Sequence, residues 1–199
     1  ALMDARDKAL APYRRPDDDH FDVARGSVSL FETKIGGELL DALAAAKTLP
    51  AKQKAAEAWV LKQGRATGLE HLVVLAKDGT PLSIDKGRVN AVSPTSAVWR
   101  AGNHGEAWVS IHNHPSSNGL SGGDLTMASI WPGHTMVVLG HNGDRHQVTA
   151  TQGLDRAAAY RTAANPDEWF MAARDAFSRR IWSTRQFAAS RASTKGEAG

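Results

Sequence analysis

The 199-residue chain contains no cysteine. Disulfide bonds, thiolate metal ligands and a cysteine nucleophile are therefore excluded, and a zinc site would have to use histidine and carboxylate ligands. Long apolar runs are also missing, and the mean hydropathy of −0.37 predicts no transmembrane helix. Because charged residues follow almost at once from the N-terminus, no signal peptide is predicted. We expect a cytoplasmic protein that does not bind membranes, or else a domain of a larger protein that is delivered elsewhere.

Charge is close to balanced, with a formal net charge of +3, and 42% of the residues are hydrophobic, which suffices for one packed domain. The excess positive charge gathers near the C-terminus. Two interpretations of this cluster stay open, a solvated helix face and a surface that binds nucleic acid. The basic residues are Arg174, Arg179, Arg180, Arg185, Arg191 and Lys195.

The pattern along the chain predicts one domain with appendages. Residues 1–26 are poor in apolar side chains and predict a flexible tail or linker. Residues 27–150 contain the alternating and apolar segments of a folded domain. Residues 151–189 predict a helical extension, and residues 190–199 predict a disordered tail.

Within the domain, strands and helices are mixed, which predicts an α+β fold with a largely antiparallel sheet flanked by helices. Gly36-Gly37 is expected to precede the first helix, and Gly64 and Gly68 are expected to end the second. Turns are predicted at Asp78-Gly79 and Asn142-Gly143. Helices are predicted over 39–47, 52–63, 94–100 with Ser93 as N-cap, and 126–131. Strands are predicted over 27–33, 70–77, 81–84, 89–92, 107–114, 135–139 and 146–149.

The most informative segment runs from His112 to Asp124. His112 and His114 follow an apolar strand and alternate, so both imidazoles point to one face of the sheet. Pro115 cannot continue the ladder and is expected to end the strand. Ser121 suits a helix N-cap, which places Asp124 in the first turn of the next helix.

His112, His114 and Asp124 therefore converge as three candidate metal ligands. Three protein ligands that leave a further position open are typical of catalytic zinc, whereas structural zinc sites usually use four. Zinc is the preferred metal, although other transition metals could occupy such a site in vitro.

These residues resemble the signature of the JAMM/MPN+ metallopeptidases, and Asn113 gives the form seen in the bacterial RadC-like branch. The resemblance covers residues 68–149. It implies an MPN/JAB-like fold (related to the cytidine-deaminase fold), and it implies that Glu70, before an apolar strand, is the catalytic general base. It also implies that Ser121 assists catalysis. The stretch from His114 to Ser121 is one residue shorter than in the family, so Ser116 or Ser117 is an alternative to that serine.

The resemblance further implies hydrolysis of a peptide or isopeptide bond by metal-activated water. The expected partner is a protein or peptide, including the tail of a ubiquitin-like protein. Two alternatives remain: a RadC-like, nucleic-acid-associated module that uses the basic C-terminal helix, and a protein-interaction scaffold like the metal-free MPN relatives. Among the remaining histidines, His134 is of most interest because it restarts a strand after the predicted metal helix. The sequence does not indicate an oligomeric state.

Overall fold

A computed structural model describes residues 2–16, 18, 27–121, 123–124, 127–128, 131, 133–149 and 192–193. These residues form a mixed sheet flanked by helices, so the predicted α+β class is confirmed. The helices are α1 (Leu2–Leu10), a 3-10 turn (Ala11–Tyr13), α2 (Lys34–Ala45), α3 (Leu49–Thr67) and α4 (Ser96–Asn103). The strands are β1 (Val28–Ser29), β2 (His71–Ala76), β3 (Pro81–Lys86), β4 (Ala107–His114), β5 (Thr135–Gly140), β6 (Asp144–Thr149) and β7 (Ala192–Ser193).

The seven strands lie in the order β1-β3-β2-β4-β5-β6-β7. All neighbours are antiparallel except β4 and β5, which are parallel. A parallel pair needs a long crossover connection, and here residues 115–134 provide it. The crossover leaves the sheet at the end of β4, which is where the two histidines of the motif lie.

Both faces of the central strands are covered, which explains why residues 72–76 of β2 are all apolar and why all six residues of the strand are buried. On one face, Val73 and Leu75 pack with α2 and α3, and on the other, Leu72 and Val74 pack with α1 and α4. The helices begin at side-chain caps, since Thr33, Thr48 and Thr95 accept hydrogen bonds from the first turns of α2, α3 and α4.

The prediction of a flexible tail over residues 1–26 is wrong for its first half. Helix α1 packs on the domain through Leu10, which is 1% exposed. Arg6 lies over the Phe31 ring, 4.1 Å from its centroid, and donates to the Leu82 carbonyl at 3.3 Å. The long stems of the charged residues and a few apolar side chains therefore suffice to dock this segment. Residues 17 and 19–26 lie outside the described part of the chain.

Gly36, Gly37 and Gly64, which were expected before a helix or at its end, lie inside helices. Two of them, Gly36 and Gly64, allow close packing. A Cβ on Gly36 would lie 1.9 Å from the Leu30 carbonyl oxygen, and one on Gly64 would lie 2.4 Å from Nδ2 of Asn113. Gly68, with φ of 70°, is the residue that ends α3.

Other boundaries differ from those predicted. The segment 89–92 is not a strand, and Arg88 instead closes a turn by donating to the Ala91 carbonyl at 2.7 Å. The N-cap of α4 is Thr95 rather than Ser93. The predicted strand at 27–33 shortens to β1, because residues 31–33 turn into α2. The turns at Asp78-Gly79 and Asn142-Gly143 are confirmed.

The predicted helical extension over residues 151–189 and the basic cluster lie outside the described residues. The predicted disordered tail over 190–199 is wrong at Ala192–Ser193, which pair with the open edge of β6 at Asp144 and Arg145. None of the helices in the described part of the chain combines the length and apolar character of a bilayer-spanning segment.

Candidate metal centre

Strand β4 brings two imidazoles together at its carboxyl end. His112 and His114 alternate along the strand and face the same side, and their Nε2 atoms are 3.0 Å apart. Both are buried, at 4% and 8% exposure. The strand ends at His114, immediately before Pro115, as predicted.

The loop after β4 fixes the tautomer of His114. Its Nδ1 lies 3.0 Å from the Asn118 carbonyl oxygen and 3.1 Å from that of Gly119. Because carbonyl oxygens only accept hydrogen bonds, Nδ1 carries the proton and the Nε2 lone pair points into the site. Backbone contacts of this kind orient histidines that bind metals.

Asp124 reaches the histidines from a short helical segment, the site helix, whose described residues are Gly123, Asp124, Met127 and Ala128. Ser121 caps this helix as predicted, since the Asp124 N–H donates to its Oγ at 3.2 Å. In return the Ser121 N–H donates to Oδ2 of Asp124 at 2.6 Å. This reciprocal pair holds the carboxylate in place. Its Oδ1 lies 3.0 Å from Nε2 of His112, and its Oδ2 lies 3.4 Å from Nε2 of His114.

The charges in this group perturb one another. Burial raises the pKa of Asp124, but the neighbouring His112 and the Ser121 hydrogen bonds outweigh burial and bring it to about 2. For His112, burial lowers the pKa and the Asp124 carboxylate more than restores it, so the net pKa is raised. For His114, burial and the proximity of His112 lower the pKa. His114 is therefore neutral near pH 7, which is the state that binds a metal.

Glu70 lies next to the group, one residue before β2 begins, rather than within the strand as predicted. Glu70 is 6% exposed, and it lines the same cavity as His112, His114 and Asp124. Burial, together with the negative charge of Asp124, raises the pKa of Glu70 to about 7, despite the opposing effect of His112. A carboxyl group with such a pKa can both accept and donate a proton near neutral pH.

The cavity over these side chains has a volume of about 750 Å³. Apart from the four ionisable groups, its described lining is apolar or uncharged, and it contains no lysine or arginine. Ser116 and Ser121 both line the cavity, whereas the Ser117 hydroxyl is used in a hydrogen bond from the Asn142 N–H at 3.0 Å. The apolar lining is formed by Leu72, Val89, Ala91, Val92, Pro94, Trp99, Leu120 and Met127.

The donor set fits a metal ion. One ligand atom from each of His112, His114 and Asp124 lies within 4.8 Å of the others. Two imidazole nitrogens bound to one tetrahedral zinc are about 3.3 Å apart, close to the 3.0 Å separation here. Only small shifts of the rings are needed, so the group can hold a metal ion.

Two further residues near β4, His134 and Asn113, contact other parts of the fold. His134, which the sequence analysis singled out, is not part of the metal-binding group. Its Nε2 lies 2.9 Å from Oγ of Ser110 and its ring packs on Trp131. Burial lowers the pKa of His134 to about 3. Asn113 points to the opposite face of β4 and bonds to the backbone on both sides of Glu70. In the sequence motif, Asn113 is notable only as the residue between the two histidines. Its contacts with residues 69 and 71 depend on the pairing of β2 with β4, which the motif does not reveal.

Comparisons of the chain with protein-family models, with curated proteins and with solved structures found no match. The interpretation of the site therefore depends on its own residues and geometry.

Proposed function

We propose that this protein is a zinc-dependent hydrolase of peptide or isopeptide bonds, with a site and fold of the JAMM/MPN+ type. The observation that carries the proposal is the convergence of His112, His114 and Asp124 beside the buried carboxyl group of Glu70. A metal site alone does not require a buried glutamate with a raised pKa. A hydrolytic site needs a proton carrier at this place.

Zinc is favoured over magnesium or calcium because two of the three donors are imidazole nitrogens. Hard cations such as magnesium and calcium prefer oxygen ligands, whereas imidazole suits zinc and its neighbours in the transition series. His112, His114 and Asp124 would hold the ion. When bound, zinc supplies the Lewis acidity that polarises a carbonyl group and activates water near neutral pH.

The residues of the chain then divide the remaining work. Glu70 accepts a proton from the attacking water at a carboxylate oxygen and delivers it to the leaving amine. The Ser121 hydroxyl lines the cavity while its oxygen caps the site helix, and by turning its hydrogen from Asp124 to the substrate it would stabilise the developing oxyanion. Leu72 and Trp99 contribute to an apolar lining that limits access of water to the reacting groups.

The cavity favours a protein or peptide over nucleic acid as the substrate. Phosphate groups are bound mainly by lysine and arginine, and the described lining of the cavity offers neither. The same lining has no cation to bind a terminal carboxylate, which favours cleavage within a chain or at a lysine branch. The tail of a ubiquitin-like protein is one substrate of this kind.

The test uses zinc-loaded protein, a library of unmodified synthetic peptides and a lysine-branched peptide. Mass spectrometry of newly formed amines distinguishes peptide cleavage, which frees an α-amine, from isopeptide cleavage, which frees a lysine side chain. Glu70→Gln is expected to lose about 100-fold or more in rate, as typical for a general base. Glu32→Gln, at an exposed glutamate outside the cavity, serves as the matched control.

Absence of new amines with the zinc-loaded wild-type protein, or full activity of Glu70→Gln, would contradict the proposal. Salt-sensitive binding of DNA that weakens when Arg179 and Arg180 are replaced would instead favour the nucleic-acid-associated alternative.

A further inference from the structure

We infer that the Asn113 side chain positions Glu70 by clamping the backbone on both sides of it, so that the residue between the two metal-binding histidines serves the general base. This inference rests on the proposed function, in which Glu70 carries the proton. Asn113 itself does not touch the cavity, and it acts through the backbone of residues 69 and 71.

The clamp consists of two hydrogen bonds that flank Glu70. Oδ1 of Asn113 accepts from the His71 N–H at 2.8 Å, and its Nδ2 donates to the Leu69 carbonyl at 2.9 Å. Ladder pairing between β2 and β4 begins at Leu72 opposite His112, so the carboxamide continues the pairing beyond the point where the ladder stops. The backbone that carries Glu70 is thereby tied directly to the strand that carries both histidines.

The other side of the same segment is also fixed. The Glu70 N–H donates to the Arg88 carbonyl at 2.8 Å, and the Gly87 N–H donates to the Glu70 carbonyl at 2.8 Å. The backbone of Glu70 is thus held on one side by the two residues that follow β3 and on the other by Asn113 of β4. Because a displacement of about 1 Å in a reacting group can cost about 100-fold in rate, this two-sided support bears directly on catalysis.

The orientation of the carboxamide is determined by its partners. The second hydrogen of Nδ2 faces Nε2 of His141 at 2.9 Å. A flipped amide would set its NH2 group against the His71 N–H and its oxygen against the Leu69 carbonyl, which would lose both bonds. Asn113 has no exposed surface, so water cannot replace the lost partners.

Helix α3 leaves room for this side chain at Gly64, which has no Cβ. A Cβ on Gly64 would lie 2.4 Å from Nδ2 and 2.5 Å from Cγ of Asn113. Gly64→Ala must therefore displace the carboxamide without changing any residue of the site. Gly37, in α2, is the matched control, because an added Cβ there meets nothing within 4 Å.

The first measurement is hydrogen exchange of the His71 amide, which does not depend on finding a substrate. In Asn113→Ala and in Gly64→Ala, exchange at His71 is expected to accelerate by about fivefold or more, while Val73 in the middle of β2 stays protected. Gly37→Ala is expected to leave both unchanged. An unchanged His71 amide in folded Gly64→Ala and Asn113→Ala would overturn the clamp.

The second measurement separates positioning from a general loss of structure. With a substrate found as above, Asn113→Ala is expected to lower kcat by about 10-fold to 100-fold at unchanged KM and zinc content. In a Glu70→Gln background, the same replacement is expected to cost nothing further, since the base that it positions is gone. An equal loss in both backgrounds would overturn the inference. If the wild-type protein cleaves nothing, the proposed function fails, and the exchange at His71 alone decides whether the clamp exists.

Discussion

Replacing Glu70 by glutamine is expected to stabilise the metal-stripped protein above neutral pH, although it removes the proposed general base. The carboxyl group is buried at 6% exposure and lies near the Asp124 carboxylate, so its charged form is disfavoured in the folded state. Glutamine has a similar shape and cannot ionise. The comparison of the two side chains therefore isolates the cost of the buried charge.

The sign and size follow from the pKa of Glu70, about 7 in the folded protein against an ordinary value of 4.5. Between these values the folded state binds more protons than the unfolded state, so the stability of the wild-type protein falls as pH rises through this window. At about 1.4 kcal/mol per pH unit, the full interval corresponds to about 3 kcal/mol, an upper bound. Glu70→Gln avoids this loss, so its advantage grows from near zero at pH 4.5 to that value at pH 8.

Urea unfolding in the presence of a chelator, followed by tryptophan fluorescence at several pH values, measures this difference. Groups remote from the site titrate equally in both proteins and cancel in the difference in unfolding free energy. His112, whose pKa the Glu70 charge helps to raise, contributes to that difference. A difference that does not grow with pH, or a variant that is less stable than wild type at pH 8, would refute the buried, charge-disfavouring environment of Glu70.

Two further predictions concern the supports of the site and the domain. Ser121→Ala removes the acceptor for the Asp124 N–H, so we expect the unfolding free energy to fall by about 1 kcal/mol. We also expect zinc to bind about tenfold more weakly in a chelator competition. Equal zinc affinity of the two proteins would show that the cap does not orient the Asp124 ligand. Leu10→Ala should lower the unfolding free energy by about 2 to 5 kcal/mol, because this side chain is 1% exposed in the core beneath α1. A near-zero effect in urea unfolding would mean that α1 does not pack on the rest of the domain.

The part of the site that follows from local rules could be predicted from sequence. Alternation along β4 places His112 and His114 on one face, Pro115 ends the strand, and the cap at Ser121 sets Asp124 in the first helical turn. Each of these depends on a few consecutive residues. The distances among the three candidate ligands could be obtained only from the folded structure.

Features that depend on distant pairing escaped prediction. Gly64 lies within α3, since its lack of a side chain admits Asn113 from β4, 49 positions further along the chain. Local propensity assigns such a glycine to a helix end. Helix α1 was missed for a related reason: its apolar residues are few, and their burial depends on the surfaces of β3 and α4.

The central claim is most directly tested by the zinc content of the purified protein, measured by elemental analysis after removal of loosely bound ions. We predict about one zinc per chain in the wild-type protein, its loss in His114→Ala, and its retention in His104→Ala, which alters an exposed histidine outside the site. A folded wild-type protein that carries no zinc and binds none when zinc is added would contradict the assignment of His112, His114 and Asp124 as a zinc centre.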